Sequence, residues 1–242
     1  LTSQDVNNPA MSLAVHECRE RLLLPGLTSI LDQCNTFYTQ WVDVPMLSRT
    51  HGQPATPTTV GKELYVYHER LSQEMEVFRS IPIRTKCGGA VGNLNAHYIA
   101  YPDIDWVEWC DQFVASLGLQ RNRWTTQIDH YDSLARILDS VKRCSVILVD
   151  LCQDIWHYIS FGYFKLRIGP HEVGSSTMPH KVNPIHFENA EGNLKLCGRL
   201  ASTLSEELPV SRLQRDLTDS TLLRNIGTAF GHFLIGIQSI TT

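Results

Sequence analysis

Apolar residues recur through HYDSLARILDSVKRCSVILVDLCQDIWHYISFGYF at positions 134, 137, 138, 141, 144, 148, 151, 155 and 159, in steps of three and four that mark one long helix. At about 1.5 Å per residue some thirty residues span roughly 45 Å, longer than a small domain is wide. Val146, Ile147, Val149 and Trp156 lie off the main stripe, so more than one face of this helix needs cover, which the pattern assigns to other subunits.

The same reading places further helices on either side. Asn8-Pro9 has the form of an N-cap followed by proline at the first helical position, and predicts a helix to about Val42, interrupted near Pro25-Gly26. Helices are also expected from about Thr58 to Ser80 and from Asp103 to Leu117. Asn183-Pro184 repeats the cap-then-proline signature before a helix to about Glu207, and a last helix begins near Ser220. No alternating strand pattern of useful length and no internal repeat is present. The expected fold is all-α, a bundle of long helices with little or no strand, forming one central helical domain over 1–242. Its unusual residues sit in the joining loops VPMLSRTHGQPATP, RTKCGGAVGNLNAHY and GSSTMPHKVNP.

Composition narrows the function classes. With 242 residues, 43% of them hydrophobic, the chain can bury a sizeable core. Its 21 Lys and Arg against 25 Asp and Glu leave a balance of −4, without the overall basic field that nucleic acid or anionic lipid would call for. Any anion site must be local. No apolar run approaches the roughly 18 residues a membrane helix needs, and LTSQDVNN has no signal-peptide pattern, so a soluble, cytoplasmic protein is expected. The seven cysteines (18, 34, 87, 110, 144, 152, 197) are odd in number and lack a C-x-x-C pair, which favours buried, reduced thiols. The start without Met and the helical flavour of SITT lead us to expect that both flanks are cut.

Four constellations carry candidate chemistry. In GSSTMPHKVNP, Ser175, Ser176 or Thr177 can cap backbone groups, Pro179 can stiffen the turn and Asn183 is expected to cap the next helix. Lys181 beside three hydroxyls and a glycine also suits a mobile lid that presents a nucleophile or base. His51, between Ser48-Arg49-Thr50 and Gly52, Pro54 and Pro57, is either a surface bystander or a proton donor held by a stiff loop. Arg212, Arg215 and Arg224 surround Ser220 at a helix start, forming a phosphate or carboxylate site unless Asp216 and Asp219 pair with them in a solvated capping network. Gly88, Gly89 and Gly92 could let backbone approach a ligand, but lack the strand-turn-helix context of a dinucleotide site. His171, His180 and His186 lie close in sequence without a completing cysteine or carboxylate pattern, so no metal site is expected.

GSSTMPHKVNP resembles the signature loop of the fumarase/aspartase superfamily, whose members eliminate fumarate from a succinyl-type substrate. TSQDVNN, MLSRTHGQPATPTTVGKE, GGAVGNLNAH, TTQIDHYD and LPVSRLQRDLTDSTLLRN narrow the likeness to the branch that acts on a succinylated purine nucleotide, in its long bacterial form. The resemblance runs essentially end to end, over the central helical region, with the branch's N-terminal and C-terminal segments absent.

The resemblance implies a C–N lyase that releases fumarate from adenylosuccinate to give AMP, and acts likewise on the succinylated aminoimidazole carboxamide ribotide. It implies Ser175 as general base, His51 as general acid, Glu188 as the carboxylate orienting that histidine, and Lys181 with Asn183 at the substrate carboxylate beside Ser176. Thr2, Ser3 and Gln127 match positions contacting the succinyl group; Arg215, Ser220 and Arg224 match those at the phosphate end. It further implies a homotetramer with active sites shared between subunits, and no cofactor. One site histidine belongs to the absent N-terminal segment, so the isolated piece is expected to be inactive. Competing readings are another lyase of the superfamily, such as argininosuccinate lyase or fumarase, and a non-catalytic helical assembly module.

Overall fold

The computed structural model describes residues 2–166, 178 and 181–242. The axis of the bundle is α6 (Asp132–Ser160), 29 residues long and the chief carrier of the core. Leu138, Val141, Cys144 and Leu148 on it are shut off from water. Helix α7 (Ile185–Glu207) runs back along α6, since Gln153 meets Glu191 at 3.0 Å and Lys142 meets Ser202 at 3.3 Å. Helix α9 (Ile226–Thr241) lies on α7, so closely that a Cβ at Gly236 would come within 2.6 Å of Leu194 Cγ. Helices α2 (Leu24–Trp41) and α3 (Val60–Ser80) complete the bundle, burying Leu27, Ile30, Leu71 and Phe78.

The first helix departs from its expected bounds. Helix α1 (Gln4–Cys18) begins before Asn8-Pro9 and carries Pro9 inside it. Asn8 is therefore not a cap: it is buried, and its side chain bonds across the fold. The expected interruption near Pro25 is a π-helical turn, Arg19–Leu23, where the Leu24 amide reaches back five residues to the Arg19 carbonyl. Pro25 has no N–H to continue an α-helical ladder and its ring crowds the preceding turn, which favours the wider turn just before it. The Arg19 side chain, buried there, donates to the Ile81 carbonyl at 2.6 Å and so closes the end of α3.

The loop around His51 is a β-hairpin, against the expectation of irregular structure. Strands β1 (Pro45–Thr50) and β2 (Gln53–Thr59) pair antiparallel about His51 and Gly52, both at positive φ (53° and 73°), as a two-residue hairpin turn requires. Its prolines are tolerated because each strand of a two-stranded ribbon is an edge. A second small sheet pairs β3 (Arg84–Lys86) with β4 (Gln120–Asn122) in parallel. The short helices α4 (Asn95–Ala100), α5 (Trp106–Ser116) and α8 (Thr218–Leu223) fill the joining segments. Among the described residues the architecture is a helical bundle with four short strands, and the expected last helix is divided at Arg224 and Asn225.

Candidate functional site

Among the described residues, those singled out as candidate catalytic and substrate-binding groups lie toward the two ends of α6. Twenty-nine residues at about 1.5 Å each separate those ends by roughly 43 Å.

At the N-terminal end of α6, the start of α1 with Thr2 and Ser3 is tied to Arg215 through Gln4, and Gln127 is tied to the neighbouring Gln214, while Ser220 and Arg224 follow within α8 and at its C-cap. Ser3 holds the N-cap position, yet its side chain makes no capping bond. The amide of Thr2 is bound instead by Asp5 Oδ2 at 3.0 Å. Gln4, with its amide oxygen toward the guanidinium, accepts from both terminal nitrogens of Arg215 at 3.0 Å each. Asp219 stands behind the same arginine, with Oδ1 3.9 Å from Nη2. The Gln127 amide donates to the Gln214 carbonyl at 3.2 Å, which ties the segment after β4 to the loop carrying Arg215. Ser220 is half-buried within α8 and Arg224 is exposed at its end.

The arginines divide between the two accounts left open by the sequence. Arg212 is exposed and pairs with Asp216 at 3.0 Å, as a surface capping network would. Asp216 is held low, at about 2, by the Thr218 hydroxyl and amide and by the Arg212 amide. Arg215, mostly buried, is held on the α1 terminus, and its Nε is buried without a hydrogen-bond partner among the described residues.

Buried polar residues support this end, among them Asn8 and Asp219, for which the sequence suggests other roles. The Tyr131 hydroxyl accepts from Asn8 Nδ2 at 3.0 Å and donates to Asp219 Oδ2 at 3.1 Å, and the Asp129 amide donates to Asn8 Oδ1 at 3.1 Å. Asn8, Tyr131, Asp129 and Asp219 are all buried. Burial pushes the Asp129 carboxyl up, against the opposing hydrogen bond from Asn122. The glycine loop packs closely on the protein's own backbone. A Cβ at Gly92 (φ +76°) would lie 2.0 Å from the Thr125 carbonyl oxygen, so the backbone abuts the segment leading to Gln127.

At the C-terminal end of α6, His51 stands exposed on the hairpin tip. Arg49 anchors that hairpin: its guanidinium lies 4.8 Å over the Phe161 ring, and its Nε donates to the Tyr163 hydroxyl at 3.2 Å. Glu188, in the first turn of α7, accepts from the Trp156 indole at 3.1 Å; within one chain no hydrogen bond joins it to His51. Lys181 and Asn183 precede α7. Asn183 does not cap it, because Pro184 holds the N-cap position; the Asn183 carbonyl accepts from the Ile185 amide at 2.8 Å. Ser175 and Ser176 lie outside the described residues. Among the described residues no cluster of three or more His, Cys, Asp or Glu is arranged to hold a metal, and no helix is long and apolar enough to cross a membrane.

Comparison with known proteins finds similarity along nearly the whole chain. A family model described as "Lyase" matches residues 1–199, and one described as "Adenylosuccinate lyase C-terminal" matches residues 211–242. The chain is 56% identical to an adenylosuccinate lyase of Dictyostelium discoideum over 244 residues, covering 99% of this chain and 52% of the relative. It is 48% identical over 238 residues to the adenylosuccinate lyase of Escherichia coli K12, covering 98% and 52%. The adenylosuccinate lyase of Legionella pneumophila strain Corby is 50% identical over 239 residues, at 99% and 52%. The chain thus spans about half the length of the curated relatives it matches.

Proposed function

Because this chain belongs to the lyase family, within the fumarase/aspartase superfamily, we propose that it is the central helical portion of an enzyme that cleaves adenylosuccinate to AMP and fumarate. We extend the same activity to the succinylated aminoimidazole carboxamide ribotide. One observation carries the choice of substrate. Thr2 and Ser3, with hydroxyls not used in capping, adjoin Gln4, which grips the largely buried Arg215. A single tripeptide thereby links a carboxylate-binding helix start to a phosphate-binding guanidinium, as a molecule anionic at both ends requires.

Elimination removes a weakly acidic proton from the carbon beside one carboxylate and breaks the C–N bond to the purine. Ser175 takes that proton, in a closed site where a hydroxyl can be activated. Charge then builds on the substrate carboxylate, where Lys181 and Asn183 with Ser176 stabilise it. His51, oriented by Glu188, delivers a proton to the departing nitrogen so that AMP leaves neutral at that atom. Thr2, Ser3 and Gln127 hold the succinyl part; Arg215, Ser220 and Arg224 hold the phosphate, and that remote binding aligns the reacting carbons.

His51, Lys181 and Glu188 lie at one end of α6 and the substrate-holding groups at the other, so a working site takes its parts from more than one copy. We assign a homotetramer with shared sites. Exposed apolar residues along the long helices support it: Val66 and Val77 on α3, Val146 and Trp156 on α6, Leu196 on α7 and Ile235 on α9. Leu213 and Trp124, each 94% exposed, flank the substrate-holding end and add to the surface that needs cover. We place the enzyme in the cytoplasm, in keeping with seven free thiols.

The test follows fumarate release from adenylosuccinate by the full-length protein. Ser175→Ala and His51→Ala are each expected to reduce kcat by about a hundredfold or more. Arg215→Ala should raise KM for adenylosuccinate far more than it weakens inhibition by free succinate. Near wild-type turnover in Ser175→Ala or His51→Ala would remove that residue's proton-transfer role, and equal effects of Arg215→Ala on both ligands would remove the nucleotide assignment.

A further inference from the structure

Lys86 and Asp5 form an ion pair sealed from water, with Nζ 2.7 Å from Oδ1 and side chains 0% and 1% exposed. The carboxylate also accepts from the Gly88 amide at 3.0 Å, the Gly89 amide at 3.1 Å and the Thr2 amide at 3.0 Å. Lys86 in turn donates to the Gly89 carbonyl at 2.6 Å. One carboxylate thus joins the start of α1, the end of β3 and the glycine loop. Although burial alone would raise it, the Lys86 bond and the amides bring Asp5 below its ordinary value.

Stability is a poor explanation for such a pair. Replacing a buried ion pair by apolar side chains of similar volume often leaves a protein as stable or more so, because desolvating both charges offsets their attraction. Direction and charge explain it better. Hydrogen bonds to an ionised acceptor are short and oriented, so they fix the turn that presents Thr2 and Ser3. An unpaired aspartate there would also repel an incoming carboxylate. Lys86 cancels that charge while Asp5 keeps the neighbouring amide in place, and Gln4, between them in sequence, turns to Arg215.

We propose that Asp5, neutralised by Lys86, is a positioning residue that sets Thr2 and Ser3 for binding the succinyl carboxylate of the substrate. This rests on the reading of Thr2 and Ser3 under Proposed function. Asp5 acts through those two residues and does not itself touch the substrate.

The experiment uses the full-length protein with adenylosuccinate, and reads thermal midpoint, kcat and KM on folded, tetramer-purified samples. The double variant Asp5→Asn with Lys86→Met removes both charges together; Asp5→Glu keeps the charge and moves the carboxylate by one methylene. Thr2→Val and Ser3→Ala report on the substrate contacts directly. In the double variant and in Asp5→Glu, KM is expected to rise about tenfold or more at a thermal midpoint near wild type, with a smaller change in kcat. A KM within about twofold of wild type in either folded variant, while Thr2→Val and Ser3→Ala raise it, would overturn the positioning role and leave the substrate reading intact. Unchanged KM in Thr2→Val and Ser3→Ala would instead overturn the reading of those contacts, and the proposal with it. Failure of both Asp5 variants to fold would show the pair to be structural and would likewise overturn it.

Discussion

The Tyr131 hydroxyl donates to Asp219 Oδ2 at 3.1 Å, joining the start of α6 to α8 across 88 residues of sequence. Tyr131 stands at the N-cap of α6 with φ of 58°, a left-handed conformation that disfavours a bulky side chain. Its bonds to Asn8 and Asp219 offset that strain. Burial pushes the phenol upward, with the Asp219 charge adding to the shift, so the group remains a donor. Tyr131→Phe leaves two buried partners short of a hydrogen bond and is expected to destabilise by about 1–3 kcal/mol, read by urea unfolding. Asp219 backs Arg215, so the same variant should also raise KM for adenylosuccinate in the folded enzyme; an unchanged KM would detach the network from the phosphate end.

Separation of the two half-sites along α6 predicts complementation. His51→Ala removes the proton donor at one end of the bundle and Ser3→Ala weakens substrate binding at the other, so at subsaturating adenylosuccinate each should turn over far more slowly than wild type. Mixed, dissociated and reassembled, the two should form some sites with both ends intact, recovering up to about a quarter of wild-type activity if copies assort at random. Recovery absent from verified mixed tetramers would place both half-sites within one copy's reach.

Asp129 gives a pH dependence of opposite sign to an ordinary paired carboxylate. Burial raises its folded pKa above the unfolded value near ~3.9, so the ionised form is penalised in the folded protein. That penalty is absent below the unfolded pKa and complete above the folded one. Asp129→Asn removes it, and the variant is expected to gain stability over wild type as pH rises through the folded pKa. Thermal melts from pH 4 to pH 8 check this, and a stability difference that does not grow with pH would contradict it.

Gly236 tests the packing of α9 on α7. Alanine has the better helix propensity by about 0.8–1.0 kcal/mol. Against that, its Cβ would lie 2.6 Å from Cγ and 2.8 Å from Cδ2 of Leu194, which is fully buried and has little room to turn. Overpacking of this kind costs about 1–3 kcal/mol, so Gly236→Ala is expected to lower stability on balance. A midpoint at or above wild type in chemical unfolding would mean that Leu194 can move aside.

Much of the bundle was legible because a long helix writes its buried face into the chain at every third or fourth position. The run of α6 and the extent of α3 to within two residues were readable from the sequence, and the start of α7 from the Asn183-Pro184 signature. The hairpin holding His51 was not legible: its prolines and threonines lack apolar alternation, and its pairing depends on a turn of His51 and Gly52. Asn8-Pro9 misled for a related reason. Its cap signature is local, while Asn8 is recruited by Tyr131 and by the Asp129 amide from far along the chain.

The chain's own order of residues determined the helical class, the family motifs and the identity of the groups proposed to act on the substrate, because periodicity and short spacings are local properties. Tertiary structure alone decided that the described ones among those groups fall into two sets at opposite ends of α6. It also decided that Asp5 and Lys86 face each other away from water, and that Gln4 turns to Arg215. Such relations join positions far apart in sequence, and their energy comes from burial and direction, which no spacing records.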